Sequence, residues 1–243
     1  MKKYNNLIFE DDFSLGYLDS NKWNVTHLGN GFGNKEWQFY RSDSDNVKVI
    51  NNQLVITGKK EDYEHCHYTS AKITTKDKFS FKYGRVDIVA SLPKGKGLWP
   101  ALWMMPQFNT YGHWPHNGEI DIMESLGHDP DYIYCTIHYG LPHQYHGFTK
   151  IIERSNDFHK YSLIWEEGII TWLIDDEIVG STSTWFSKNY KDGKEINNKF
   201  PAPFDHEFYL IINLAIGGNF SGYPDETTKF NAELVIDSVR VYK

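Results

Sequence analysis

Two cysteines, Cys66 and Cys135, are all that 243 residues hold. A disulfide framework is therefore excluded, and two unpaired, buried thiols are expected. No run of about 18 apolar residues exists, so no membrane span is expected. Basic residues number 25 against 32 acidic ones, for a net charge of −7. They are scattered, whereas binding nucleic acid needs a basic surface to neutralise phosphates. No long window sustains a 3.6-residue apolar period, so helix should be scarce. Internal repeats, low-complexity tracts and linkers are absent. Behind Met1-Lys2-Lys3-Tyr4-Asn5-Asn6 no apolar segment of a secretory leader follows. That fits either a cytoplasmic protein or a chain already relieved of its leader.

What is present is apolar and aromatic: 40% and 16% of the chain, with 8 Trp and 16 Tyr. This suffices for one large core, and flat aromatic surfaces suit sugar faces or other planar ligands. Short extended segments separated by turn residues run from end to end. They cover 6–13, 47–56 (a hairpin around Asn51-Asn52), 68–79, 83–92, 98–105, 119–125, 132–139, 160–165, 169–174, 177–179, 208–214 and 234–242. Many short strands with regular turn signals predict an all-β, antiparallel sandwich or barrel. Residues 187–205, rich in Asn, Lys, Gly and Pro, are expected as a surface loop. The chain reads as a single domain, 1–243.

One stretch stands out: Gly118-Glu119-Ile120-Asp121-Ile122-Met123-Glu124-Ser125. Ile120 and Ile122 favour a strand, whose side chains alternate between two faces. Glu119 and Asp121 then share a face, and Glu124 points the other way. For all three acids to meet, an extra residue must be absorbed between Asp121 and Glu124, as in a β-bulge. The Glu119 and Glu124 backbones would lie roughly 13 Å apart, four strand steps. Their side chains, leaning inward, could bring the carboxyls to about 5–5.5 Å, the separation retaining glycosidases use. A solvated acidic face on an edge strand is the plainer reading. Against it, like charges on one face repel and raise one another's pKa, a cost tolerated where a proton must be held near neutral pH.

Trp99 and Trp103, four apart in Gly97-Leu98-Trp99-Pro100-Ala101-Leu102-Trp103-Met104-Met105, share a face of a strand, and Trp114 lies five residues before Glu119. All three could be core. Their proximity to the acids favours a wall on which sugar rings stack. Pro100, lacking an N–H, suggests an edge or bend.

With these residues in view, the sequence resembles glycoside hydrolase family 16, and within it the laminarinase-like endo-1,3-β-glucanases. The Glu119–Glu124 stretch matches the family signature in its longer form. Ordered matches run along nearly the whole chain. They include Asp12-Phe13, Lys22-Trp23, Tyr68-Thr69-Ser70-Ala71, Tyr83-Gly84-Arg85-Val86, Trp99-Pro100-Ala101-Leu102-Trp103, Thr136-Ile137-His138-Tyr139-Gly140, Asn213-Leu214-Ala215-Ile216-Gly217-Gly218-Asn219 and Asp237-Ser238-Val239-Arg240.

The resemblance implies a concanavalin A-like jelly roll with a concave, open, endo-acting cleft, and hydrolysis with retention. It implies Glu119 as nucleophile, Glu124 as general acid/base and Asp121 as modulator of the nucleophile. It implies Trp99, Trp103 and Trp114 as stacking surfaces, and Arg85, Asn34 and Asn213 at positions that bond sugar hydroxyls. His138 falls near the reaction centre, where it either touches substrate or is structural. Asp87 and Val89 depart from a family Glu and Arg, which would remove one subsite contact, and Phe220 stands where Trp is common. No cofactor is implied for catalysis. A structural calcium is implied through Glu10, Asn52 and Asp237, whose hard oxygen donors suit Ca²⁺. Glu64-His65-Cys66-His67 brings at most two ligands together and reads as coincidence. The implied partner is a polysaccharide and the implied state a secreted monomer. A galactan as substrate, or a non-catalytic glucan-binding module, are the alternatives. The second is disfavoured because all three acids are present.

Overall fold

The computed structural model describes residues 4–153, 155–191 and 193–243. Alternating apolar residues build two antiparallel sheets. The eight-stranded outer sheet runs in the order Glu177–Thr182, Ile169–Ile174, His159–Glu166, Gly84–Ser91, Ala232–Tyr242, Gln53–Gly58, Val47–Ile50. Leu7–Asp11 also pairs with Ala232–Tyr242. The seven-stranded sheet runs Gln144–Ile151, Asp129–Tyr139, Glu119–Leu126, Leu98–Pro106, Phe208–Ile216, Lys72–Thr74, Asn24–Val25. The expected jelly-roll sandwich is present. Among the described residues the one helical turn is the 3-10 segment Gly31–Gly33, and no helix is long and apolar enough to cross a membrane. One short pair is parallel, Gln38–Tyr40 with Tyr68–Ser70.

One face of each sheet is apolar, and the two close on a common core. Leu54, Ile56, Val86, Ile88, Leu163, Trp165 and Trp172 come from the outer sheet. Leu102, Met104, Ile120, Ile133, Ile137, Leu210 and Ile212 come from the other. Because side chains alternate, the residues between the latter set, such as Trp103, Glu119, His138 and Asn213, project from the seven-stranded sheet away from the core.

Three expectations need correction, and one strand was not anticipated. Residues 187–205 are not one irregular loop: Ser187–Lys191 pairs with Lys194–Asn198. Such a hairpin is held by its backbone ladder with little apolar burial, so it leaves no alternation to read. Gln144–Ile151 is an edge strand paired along its whole length with Asp129–Tyr139, and its exposed face hides it in the same way. Pro100 sits on the middle strand of its sheet, not at an edge. Its missing N–H is tolerated because pairing to the acid strand ends at Ala101–Glu124. Cys135 is buried, but Cys66 is only partly so.

Candidate active site

The acid strand contains the expected bulge. Against Asp129–Tyr139, Asp121 faces Thr136 and Glu124 faces Tyr134. Three steps on one strand thus match two on the other. Against Leu98–Pro106, Asp121 faces Trp103 and Met123 faces Leu102. The extra residue is therefore Ile122, which is buried with Met123 in the core. Both flanking registers absorb it, so Glu119, Asp121 and Glu124 all line one open cavity of about 900 Å³.

Within it, Trp99 donates its indole N–H to Glu124 Oε1 at 3.0 Å, and Trp114 lies beside Glu119. His138 Nε2 lies 3.4 Å from Asp121 Oδ2 and 3.9 Å from Glu119 Oε1. His138 Nδ1 lies 3.0 Å from His143 Nε2. Asp121 Oδ2 is buried with no hydrogen-bond partner. Burial pushes Glu119 up to about 8, reinforced by the Asp121 charge and opposed by His138. Burial and then Asp121 push Glu124 up to about 8, and burial pushes Asp121 up to about 8. Three carboxyls this close cannot all ionise near neutral pH, so the cluster retains protons there. Among the described residues, Glu119, Asp121 and His138 are the one group of three whose ligand atoms lie within 4.8 Å of one another.

The walls include Trp99, Trp103, Trp114, His138, Asn34 and Asn213. Asn213 is already engaged: its oxygen accepts the Trp103 indole at 2.7 Å, and its amide donates to the Tyr40 hydroxyl at 3.1 Å. It braces the wall as well as lining it. Phe220 packs edge-on against Trp99 and Tyr134, keeping an aromatic ring at that departure.

Arg85 is elsewhere. It lies on Gly84–Ser91 of the outer sheet, where its alternation with buried Val86 turns it away from the core and from the cleft. Its guanidinium donates to Asp87 at 2.7 Å and Asp176 at 2.9 Å. Asp87 and Val89 share that outer face, so no cleft contact is lost through Val89.

The calcium donors do not fit an ion. The Glu10 carboxylate accepts from Arg240 at 2.7 Å, and its carbonyl accepts from the Lys22 ammonium at 2.7 Å. Asp237 is exposed and accepts from Gln53 at 3.2 Å. Glu10 stands opposite Arg240, three residues along the strand from Asp237. Asn52 sits in the adjoining turn at φ +59°.

Sequence reasoning missed Glu36, Lys72, Tyr134, His143 and Tyr145 in the same cavity. Burial raises the Glu36 carboxyl and lowers the Lys72 ammonium, and Lys72 Nζ lies 4.7 Å from the Trp103 ring centre. A lone lysine between Ala71 and Ile73, both fully buried, was the available signal.

This geometry has close counterparts. Residues 34–205 match the glycosyl hydrolases family 16. The chain belongs to that family. It is 39% identical over 98% of its length to the beta-glucanase of Rhodothermus marinus, covering 85% of that protein. It is 40% identical over 98% of its length to the glucan endo-1,3-beta-glucosidase A1 of Niallia circulans, spanning only 38% of that longer protein. The X-ray structure of the laminarinase from Rhodothermus marinus superposes with a TM-score of 0.85 at 37% identity, covering 98% of this chain and 97% of that one. Family 16 glycosidases need no catalytic cofactor.

Proposed function

We propose that the chain is an endo-acting, retaining glycoside hydrolase that cleaves 1,3-β-glucan of the laminarin type, with mixed-linkage 1,3-1,4-β-glucan as a further substrate. The observation that carries this reading is the bulge at Ile122, which sets Glu119, Asp121 and Glu124 on one face of an open, aromatic-walled cleft. The glucanase relatives support the choice of glucan. An open cleft admits a chain at any point along its length, which supports endo action. A single shared core supports reading 1–243 as one domain, which we propose acts as a monomer.

Glu119, ionised, attacks the anomeric carbon, while Glu124 gives its proton to the departing glycosidic oxygen. The C–O bond to the leaving sugar breaks as the Glu119 ester forms. The charge on Glu119 is then gone, and Glu124, now a carboxylate, takes a proton from water whose oxygen displaces Glu119 from the same carbon. Two inversions give retention. Burial and the Asp121 charge push both glutamates up to about 8, with His138 and a neighbouring indole opposing in each case. The division of roles, anion on Glu119 and proton on Glu124, rests on the family resemblance. Trp103 and Trp114 offer ring faces to sugars, and Trp99 additionally orients Glu124.

The test is reducing-sugar release from laminarin by the unaltered protein and by Glu119→Ala. Release by the first and loss on the order of 10⁴-fold or more in the second is expected, because the covalent step has no other nucleophile. Cleavage of galactans with laminarin untouched would replace the glucan reading. Glucan binding with no turnover would replace it with a recognition module.

A further inference from the structure

Behind the bulge, two consecutive carbonyls accept hydrogen bonds from side chains of the core. The Asp121 carbonyl accepts from the Trp172 indole at 2.8 Å. The Ile122 carbonyl accepts from the Cys135 thiol at 3.4 Å. Trp172 is fully buried, stands on Ile169–Ile174 of the opposite sheet and reaches across the interior. Cys135 is buried on the neighbouring strand. Neither lines the cavity.

We propose that Trp172, seconded by Cys135, is a positioning residue that holds the Ile122 bulge in place and so fixes Glu119 and Asp121 relative to Glu124. The inference rests on the catalytic roles proposed above.

A bulge carries one residue of slack, and strand side chains have a period of two. A slip of one position turns a side chain from the cleft to the core. Ile120, Ile122 and Met123 resist that slip through burial, but burial alone does not orient a peptide plane. A core carbonyl without a donor is costly, so an indole N–H on one side of the bulge and a thiol on the other favour one peptide orientation over its alternatives. The lever lies behind the catalytic strand, while the aromatic walls that would hold a sugar chain lie in front of it. Loosening it should therefore alter the relation between the acids and leave binding intact.

Trp172→Phe removes the N–H and keeps an aromatic ring. Trp165→Phe is the control, because Trp165 is equally buried on the outer sheet and its indole donates to the Phe204 carbonyl at 3.3 Å rather than to the acid strand. Both are assayed on whichever β-glycan the unaltered chain cleaves, so a wrong choice of polysaccharide does not affect the comparison. The expected result is a fall in kcat of at least about tenfold for Trp172→Phe, with KM within about twofold, against a kcat within about twofold for Trp165→Phe at a similar loss of melting temperature. An unchanged kcat in folded Trp172→Phe would overturn the proposal, as would equal falls in the two variants. If Trp172→Phe does not fold, Cys135→Ala and Cys135→Ser decide. Loss of kcat in the first with rescue in the second, whose hydroxyl still donates, supports the bulge role, and equal behaviour overturns it.

Discussion

On the outer face of the eight-stranded sheet, carboxylates sit beside cations; on the open face of the seven-stranded sheet, three sit beside one another. Arg85 bridges Asp87 and Asp176, Lys160 takes the other oxygen of Asp176, and Arg240 takes Glu10. Lys160 and Arg85 hold Asp176 below the usual carboxylate range. In the cleft, burial moves all three acids the opposite way, and the Asp121 charge adds to it for Glu119 and Glu124. Similar side chains, spaced similarly on strands, are quieted on one face and kept reactive on the other. The difference comes from burial, the bulge and the sparing use of cations near the acids.

The largest effect that should break this contrast lies in the cleft. Glu124→Gln removes the proton donor and is expected to lower kcat on laminarin on the order of 10³-fold, less for an activated aryl glycoside whose leaving group needs no proton. Parallel assays on both substrates check it. Asp121→Asn should cost less activity and should reveal the strain of the trio. The folded pKa of Asp121, about 8, lies above its unfolded value of about 4. Between these pH values the folded protein binds more protons than the unfolded chain, so this group's contribution to stability is full below pH 4 and is lost as pH rises through 8. Asn carries no such dependence. Thermal scans should therefore show the melting temperature of the variant, relative to the unaltered protein, rising by a few degrees from pH 5 to pH 8. A difference that stays flat or falls would contradict the raised pKa.

A smaller effect belongs to the wall. Trp103→Phe loses ring area and the bond that fixes Asn213, and KM should rise about tenfold with kcat little changed. The smallest belongs to the outer face. Arg85→Ala should leave kcat/KM within about twofold and lower the melting temperature by no more than a few degrees, since partly exposed ion pairs contribute about 1 kcal/mol or less each. A large loss of activity there would show that the two faces are not separate.

The same contrast marks how far the sequence could be read. Strand alternation around Ile120, Ile122 and the Trp99/Trp103 pair was legible because period two is a local property, and the bulge followed from the single misfit of Glu124. Arg85 was not legible. Its alternation places it on a face but does not say on which sheet, and sheet order is set by pairings across the chain, such as Arg85 opposite both Ile164 and Tyr242. Lys72 and Glu36 were missed for a related reason. They reach the cleft from an inner strand and from a loop, and their meeting depends on long-range packing. The hairpin at Ser187–Lys191 and Lys194–Asn198 carries no apolar face to signal it.

Trapping the covalent intermediate tests the central claim most directly. The protein would be incubated with an activated 2-deoxy-2-fluoro β-glucoside, in which glycosyl-enzyme forms faster than water removes it, and then digested and weighed by mass spectrometry. The account predicts one added glycosyl unit on the peptide bearing Glu119, at Glu119 itself, and none in Glu119→Ala. An adduct on Asp121 or Glu124, or turnover with inversion and no adduct, would contradict it.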